Sequence, residues 1–397
     1  MEQLAIFGGT PVREQPIYYG RQSISKDDIA AVEEALTSRL ITCGPRVSAL
    51  EEKLKQIVNA KYAVVVSNGT AALHLAAMAA GITEGDEVIT TPMTFAASAN
   101  CVRYCGGTVV FADIDPKTYN IDPDEIESKI TSRTKAVIAV DYTGQAIAHD
   151  RIDEICKRHG LLLIEDAAHA IGTKFDGKPV GSIADMTCFS FHPVKTVTSG
   201  EGGAVTTNDP EFYRKLLLLR SHGITTDAEW MTVEKEGHWF QQQIMLGYNY
   251  RITDFQAALL NSQLSRLSEF SKRRKELVAY YDRALSQIPE IAVHQKQDRS
   301  DTTWHLYIIQ LVLERLNCTR RQFFDAMAAE NVNCQVHYIP VYYHPYYQQL
   351  GYPKGLCPNA ERLYERILSI PLYPDLTDAD AESVVRAIQK IVAYYRK

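Results

Sequence analysis

The feature that most constrains the fold is a regular alternation of short apolar strands with helical patterns over more than the first half of the chain. Six short apolar runs, several of them rich in β-branched residues, predict strands: YAVVV (62–66), DEVIT (86–90), TVVFADI (108–114), KAVIAVD (135–141), GLLLIED (160–166) and DMTCFSF (185–191). Helical patterns lie at 26–40, 46–60, 70–80, 95–105, 123–130 and 150–159. This alternation predicts a mostly parallel sheet covered by helices on both faces. Ligands of such sheets bind at the carboxyl ends of the strands, so the residues that follow each strand are the first candidates for a site.

The C-terminal part has a different pattern. One long helix is predicted from Asp254 to Ile288, ended by Pro289. A strand at 305–313, a helix at 319–330, a strand at 333–337 and a final helix at 378–395 are predicted after it. We therefore expect two domains. Residues 1–250 form a large α/β domain with N-terminal helices, and residues 251–397 form a connecting helix and a smaller α+β domain.

Composition and charge exclude several classes of protein. The 397 residues carry a net charge of −6 without a basic block, which argues against partners such as nucleic acid or an anionic membrane. The charge-free stretch 63–83 includes Ser67, Asn68 and His74, so we interpret it as strand, loop and helix rather than as a membrane span. The start of the chain lacks the pattern of a signal peptide. Eight cysteines without a C-x-x-C pair or zinc-like spacing predict no metal site and reduced thiols in the cytoplasm.

Three segments after predicted strands could carry chemistry. Gly69 and Thr70 begin a helix directly after YAVVV, and a helix N-terminus suits a phosphate; an ordinary helix cap is the alternative. Asp166 ends GLLLIED, where a carboxylate could hold a protonated ring nitrogen or only cap a turn. Lys195 is the only charged residue between Asp185 and Glu201. Such isolation favours a neutral, nucleophilic amine, although a lysine that extends from a loop to solvent would give the same pattern.

Taken together, these groups match the needs of one cofactor. Pyridoxal 5'-phosphate (PLP) requires a lysine that bonds to its aldehyde carbon, a carboxylate for its ring nitrogen and a cradle for its phosphate. The combination is far more specific than any of its parts.

The chain also resembles a known family. The segments SNGTAALHLA, GDEVITTPMTFAASAN, IEDAAHAIGT, FSFHPVKTVTSGEGGAV and GYNYRITDFQAALL are similar to those of the DegT/DnrJ/EryC1/StrS nucleotide-sugar aminotransferases. The resemblance runs from about Gly8 to the C-terminus and implies the fold-type-I PLP-dependent transferase architecture. RSHGI (220–224) and QVHYIPVYYHPYYQQLGY (335–352) resemble the branch of the pseudaminic acid pathway, and spore-coat polysaccharide aminotransferases are similar in the same segments.

The resemblance implies roles for individual residues around the cofactor. Lys195 would bond to PLP and move the proton during transfer, and Asp166 would hold the ring nitrogen. Gly69, Thr70 and Ser190 would form the phosphate cradle. Phe95 would stack on the ring, with core packing as its alternative. Asn249 would serve the neighbouring subunit of a homodimer, and His169 would have a catalytic or structural role.

The implied substrate contacts are fewer. His337 and Tyr338 resemble positions near the hexose, and Arg251 would meet the diphosphate unless it forms a structural ion pair. The loop from Tyr338 to Tyr352, rich in tyrosine, would cover the sugar and nucleobase or simply pack on the core. Thr196 and Ser199 depart from the residues usual in the family. The lysine at 195 indicates a transaminase, since relatives that dehydrate the sugar have histidine there.

The predicted reaction is transfer of the amino group of L-glutamate to C4 of a UDP-4-keto-6-deoxy-N-acetylhexosamine. Two alternatives stay open from the sequence. The first is an aminotransferase that acts on a 3-keto or differently linked nucleotide sugar. The second is a non-catalytic, PLP-binding regulatory homologue.

Overall fold

The computed structural model describes residues 2–293, 295–297 and 299–397, and it confirms the predicted α/β class. The α-helices of the described residues, in chain order, are α1 Lys26–Thr37, α2 Pro45–Val58, α3 Gly69–Ala79, α4 Ala97–Tyr104, α5 Pro123–Ser128, α6 His149–His159, α7 Pro210–Arg220, α8 Asp254–Ser265, α9 Leu267–Leu285, α10 Arg320–Ala329, α11 Pro345–Gln349, α12 Pro358–Tyr364 and α13 Asp378–Tyr395. Short 3-10 helices lie at Ala5–Phe7, Tyr142–Gly144, Ala228–Trp230, Leu313–Arg315 and Val341–Tyr343.

The strands form one large sheet and three small ones. In chain order they are β1 Tyr62–Val66, β2 Glu87–Thr90, β3 Thr108–Phe111, β4 Thr134–Val140, β5 Leu162–Asp166, β6 Lys174–Phe175, β7 Lys178–Pro179, β8 Met186–Ser190, β9 Gly203–Thr207, β10 Ile224–Thr225, β11 Gln242–Gln243, β12 Ile291–Val293, β13 Ser300–Asp301, β14 Tyr307–Leu311 and β15 Ile367–Ile370. The large sheet has the order β1-β9-β8-β5-β4-β2-β3. Its strands run parallel except β9, which pairs antiparallel with both β1 and β8.

Alternate residues of each strand pack on opposite faces of the large sheet, as the pleat requires. In β1, Val64 and Val66 pack in the apolar cluster that contains α3, whereas Ala63 and Val65 pack in the cluster that contains α2. Both faces are therefore buried, which explains why the strands read as continuous apolar runs in the sequence.

A smaller sheet follows the large one in the chain. Strand β14 pairs antiparallel with β12 and with β15, and an apolar cluster joins this sheet to α9, α10 and α13. The division of the chain into domains at residue 250 stays a prediction.

Two of the predicted elements are wrong. The helix predicted from Asp254 to Ile288 is divided at Arg266, which has φ −102° and ψ 6° between α8 and α9. The Arg266 side chain forms an ion pair with the buried Asp28 of α1, an attachment that apolar spacing cannot reveal.

The strand predicted at 333–337 is also absent. Only Gln335 makes a bridge, to Ser369, and the N–H of Asn333 instead donates to the carbonyl oxygen of Ile17 at 2.8 Å. The backbone donors of this segment have two different partners, so no continuous ladder forms. The sequence patterns also did not predict β9, which belongs to the large sheet, or α7, which packs on it.

Among the described residues, no helix is long and apolar enough to cross a membrane.

Candidate active site

A cavity of about 980 Å³ opens at the carboxyl ends of β1, β5 and β8. Asp166 and Ser190 are the last residues of β5 and β8, and Gly69 follows β1 as the first residue of α3. The structure brings nine of the predicted site residues to this cavity: Gly69, Thr70, Phe95, Asp166, His169, Ser190, Lys195, His337 and Tyr338.

Lys195 lies in the loop between β8 and β9. Its backbone N–H donates to the carbonyl oxygen of His192 at 2.9 Å, and its half-buried side chain lines the cavity. Burial lowers the pKa of the Lys195 amine to about 8, although the nearby charge of Asp166 acts in the opposite direction. A substantial fraction of this amine is therefore neutral near physiological pH, as a nucleophile requires.

Asp166 is buried and held by two donors. The hydroxyl of Ser98 donates to Oδ2 at 2.6 Å, and the backbone N–H of Ala168 donates to Oδ1 at 3.1 Å. Burial raises the pKa of Asp166, while these hydrogen bonds and the charge of Lys195 act to lower it. A buried carboxylate of this kind gains most from a cationic partner placed in the cavity.

The first turn of α3 lies against the end of β8. Asn68 caps the helix by accepting from the N–H of Ala71 at 2.8 Å, while helix geometry leaves the first N–H groups without intrahelical partners. A Cβ atom on Gly69 would lie 2.8 Å from Cβ of Ser190. Glycine therefore allows the start of α3 to approach Ser190 closely. The first backbone N–H groups of α3 and the hydroxyl of Ser190 can then bind one anion.

Phe95 exposes 63% of its surface, although it is a large apolar residue that follows β2. It lines the cavity, and its ring centroid lies 6.4 Å from that of Tyr338. Ordinary core packing, the alternative considered for this residue, is therefore wrong.

Three buried histidines form one wall of the cavity. His169 lies with its Nε2 3.1 Å from the hydroxyl of Tyr338, and its ring centroid is 4.4 Å from that of His305. His337 has its Nδ1 2.7 Å from the hydroxyl of Ser369. Burial lowers the pKa of all three histidines, and that of His337 falls to about 3. They are therefore neutral hydrogen-bonding groups rather than cations.

Two predicted residues do not line the cavity of their own chain. Asn249 is exposed and forms a single bridge to Ser221, and Arg251 is half-buried without an ion pair to any described residue. The structural ion pair considered for Arg251 is therefore absent within the described chain. The predicted contacts of both residues stay predictions.

Part of the tyrosine-rich loop packs on the core. Tyr342 and Tyr347 are buried against Phe111, and Tyr347 donates to the Asn100 side chain at 2.7 Å. Of this loop only the first residue, Tyr338, lines the cavity, so the part around Tyr342 and Tyr347 follows the core-packing alternative.

Sequence reasoning missed several residues of the site. Ser98 fixes Asp166, His305 packs on His169, and Tyr250 has its hydroxyl 3.1 Å from Nδ1 of His74 inside the cavity. Ser98 falls one helical turn after Phe95, a spacing that could have placed it at the site. His305 carried no such signal, because it comes from a distant part of the chain.

These residues fit PLP. The first turn of α3 and Ser190 offer donors for a phosphate, and Asp166 suits a protonated ring nitrogen. Nδ1 of His169 and Nδ1 of His305 are buried without a hydrogen-bond partner among the described residues, so the wall of the cavity has unused polar atoms for a ligand. The fold and this set of groups are those of a PLP-dependent aminotransferase.

Comparisons with known proteins identify the family. A model described as the DegT/DnrJ/EryC1/StrS aminotransferase family matches residues 22–389, and the chain belongs to this family. It is 42% identical to the spore coat polysaccharide biosynthesis protein SpsC of Bacillus subtilis over 94% of this chain and 96% of that protein.

Solved structures agree with this assignment. PseC of Helicobacter pylori, an aminotransferase involved in the biosynthesis of pseudaminic acid, has a TM-score of 0.89 at 31% identity and covers 96% of this chain and 100% of its own. The PLP form of Spr1654 from Streptococcus pneumoniae, a putative sugar aminotransferase, has a TM-score of 0.89 at 28% identity over 96% and 99% of the two chains. The protein is therefore a PLP-dependent sugar aminotransferase.

Proposed function

We propose that this enzyme transfers the amino group of L-glutamate to C4 of a UDP-4-keto-6-deoxy-N-acetylhexosamine, in a pathway of the pseudaminic acid type or for a related surface polysaccharide. The observation that carries the proposal is the pairing of a half-buried Lys195, whose pKa is lowered to about 8, with the buried Asp166 in one cavity. The similarity to PseC and SpsC supports a sugar of this class.

Lys195 is the proposed catalytic residue. PLP, when bound, withdraws electrons from the carbon that bears the amino group. The neutral amine of Lys195 would hold the cofactor and would accept a proton from the α-carbon of glutamate. In the second half of the reaction it returns a proton to C4 of the sugar.

Asp166 and the helix start position the cofactor. The ionised Asp166 would accept a hydrogen bond from the ring nitrogen and keep it protonated, and Ser98 holds the carboxylate in place. The N–H groups of Gly69 and Thr70, with the hydroxyl of Ser190, would bind the phosphate, and Phe95 would stack on the ring. His169 would contact the cofactor from the cavity wall. The lowered pKa of this histidine keeps it neutral, so it does not repel a protonated ring.

The proposed substrate contacts are two residues of the cavity, His337 and Tyr338, and Arg251, which does not line it. His337 and Tyr338 contact the hexose, and Arg251 meets the diphosphate by bidentate hydrogen bonds. Asn249, which does not line its own cavity, reaches the phosphate in the neighbouring subunit of a homodimer. We also propose the cytoplasm as its location, which agrees with eight free cysteines among the described residues.

A substrate panel tests this proposal. The enzyme is incubated with glutamate and one keto sugar nucleotide at a time: UDP-linked or differently linked, with the ketone at C4 or C3. Formation of 2-oxoglutarate with an equal amount of 4-amino sugar only from the UDP-4-keto sugar would support the proposal. Faster turnover of a 3-keto or differently linked sugar would replace it with the alternative substrate class.

A further inference from the structure

A second cluster of ionisable groups lies outside the active site, on the opposite face of β5. Asp141, Glu165 and His149, here called the buried triad, are 0%, 0% and 1% exposed. Glu165 precedes Asp166 in β5, so the pleat directs their side chains to opposite faces of the sheet. Atoms of all three residues lie within 4.8 Å of one another.

Hydrogen bonds from described residues reach one oxygen of each carboxyl group of the triad. Nε2 of His149 lies 2.7 Å from Oε1 of Glu165, and the hydroxyl of Thr187 donates to Oε2 at 2.9 Å. The N–H of Ile147 donates to Oδ1 of Asp141 at 2.9 Å. Oδ2 of Asp141, Oε1 of Glu165 and both ring nitrogens of His149 have no hydrogen-bond partner among the described residues, although all three side chains are buried.

Two adjacent carboxyl groups cannot both be ionised without water. Burial and the negative charge of Glu165 raise the pKa of Asp141 well above its usual value. Burial also acts against the Glu165 carboxylate, but the charge of His149 and the hydrogen bond from Thr187 lower the pKa of Glu165 overall. A proton on Oδ2 of Asp141 therefore supplies a donor for the unpaired oxygen of Glu165.

A metal ion is the competing occupant. Nε2 of His149 and Oε1 of Glu165 are 2.7 Å apart, which is the contact of an ion pair. Two ligand atoms that each lie about 2 Å from one tetrahedral metal ion would be farther apart than this. The geometry favours a shared proton.

We propose that the buried triad is a proton-sharing unit in which neutral Asp141 donates a hydrogen bond to Glu165, so that Asp166 remains the ionised carboxylate of the active site. The N–H of Asp141 also donates to the carbonyl oxygen of Asp166 at 3.1 Å, which couples the two strand ends. Asp141 is thus a positioning residue. This last step rests on the proposed role of Asp166, whereas the protonation of Asp141 does not.

The first test compares Asp141→Asn with Asp113→Asn in the full-length protein, with and without PLP. Asparagine reproduces the donor and acceptor of a neutral aspartic acid. Asp113 is the matched control. It is also buried and accepts hydrogen bonds from the N–H groups of Asn359 and Ala360, but it lies outside the buried triad.

Thermal unfolding is followed from pH 5 to pH 9. The raised pKa of Asp141 gives a stabilising contribution at low pH that is lost as the pH rises through its folded-state pKa. The melting temperature of Asp141→Asn should therefore increase relative to wild type as the pH rises, whereas Asp113→Asn should lie a few degrees below wild type at every pH. A difference for Asp141→Asn that does not change with pH, or failure of this variant to fold, would overturn the proposal.

Infrared difference spectra detect the proton directly. Wild type minus Asp141→Asn should show the carbonyl stretch of a protonated carboxylic acid at neutral pH, and its absence would contradict the proposal. Elemental analysis should find no stoichiometric metal in the holoenzyme; bound metal that Asp141→Asn loses would assign the triad to a metal site instead.

The link to Asp166 is tested by rescue. Asp141→Ala should bind PLP several-fold more weakly than wild type, and Asp141→Asn should bind it more tightly than Asp141→Ala. Equal affinities of the two variants would remove the link to the active site. If Lys195 proved not to bind PLP, the infrared and melting results would still stand, so the two failures are distinguishable.

Discussion

The hydroxyl of Ser98 lies 2.6 Å from Oδ2 of Asp166, and the hydroxyl of Thr94 lies 2.7 Å from that of Ser98. Thr94 and Ser98 are buried and lie in the segment that also carries Phe95. The proposed ring-nitrogen partner is thus attached to the same segment as the proposed stacking residue. One short stretch of chain therefore fixes both the plane of the ring and its charged partner.

We expect Ser98→Ala to weaken PLP binding about tenfold or more, because a hydrogen bond to a charged group contributes about 1.5–3 kcal/mol. Loss of this donor also raises the pKa of Asp166 further. PLP titration by absorbance or fluorescence checks the result. Ser182→Ala is the matched control, since Ser182 donates only to the carbonyl oxygen of Pro179 outside the cavity. Equal affinities of the two variants would show that Ser98 does not support the cofactor.

Gly69→Ala should also weaken PLP binding by about tenfold, because displacement of packed atoms costs about 1–3 kcal/mol. Its Cβ would lie 2.8 Å from Cβ of Ser190 and would displace the proposed phosphate cradle. Gly20→Ala is the control, since its Cβ would lie 3.6 Å from the nearest atom, Cβ of Val194. Phosphate-free pyridoxal should bind Gly69→Ala and wild type equally. A similar loss for pyridoxal would mean that the substitution acts elsewhere.

The rate of PLP capture by the cofactor-free protein should increase with pH up to about pH 8 and then level off. The pKa of Lys195 is lowered to about 8, and only the neutral amine attacks an aldehyde. Stopped-flow absorbance measures the rate, and pyridoxal corrects for titration of the cofactor phosphate. A rate that does not change between pH 6 and pH 9 would contradict the lowered pKa.

The same shift predicts the stability of the cofactor-free protein. The folded-state pKa of Lys195 lies below its ordinary value of 10.5, so Lys195 contributes stability that is present above pH 10.5 and lost as the pH falls through about 8. Lys195→Met should therefore melt above wild type at pH 7, and the difference should shrink as the pH rises. A difference independent of pH would argue against a buried, titrating amine.

Mixed dimers test the shared active site. Lys195→Ala and Asn249→Ala should each be inactive alone, but co-expression should restore about a quarter of wild-type activity, because half of random dimers are mixed and hold one intact site. The control is Lys195→Ala with Asp166→Asn. Both of these residues line one cavity of the same chain, so no site is repaired. Absence of activity in the first mixture would place Asn249 in its own subunit's site, and full activity of Asn249→Ala alone would place it outside any site.

Much of the fold was predictable because local patterns were strong. YAVVV, a continuous apolar run, gives β1 at the predicted residues, and the capping box of Thr377 begins the last helix at the predicted residue Asp378. The break at Arg266 and the missing strand near Gln335 depend on contacts with distant segments, so no local pattern could reveal them.

The candidate site was predictable to a similar extent. Asp166 ends a strand, and Gly69 and Lys195 lie in the segments that follow strands, where the topology of the sheet places ligands. His305 and the buried triad depend on pairs of residues that are far apart in the chain. Burial could not be predicted from residue type either. The exposure of Phe95 and the packing of Tyr347 follow from the surrounding structure.

The most direct test of the central claim is borohydride reduction of the PLP-loaded enzyme, followed by proteolysis and mass mapping. We expect one pyridoxyl group per chain, on the peptide that contains Lys195. Lys195→Arg should carry no such group, whereas Lys174→Arg, which changes an exposed lysine outside the cavity, should be labelled like wild type. A pyridoxyl group on another lysine, or none on the peptide of Lys195, would contradict the account.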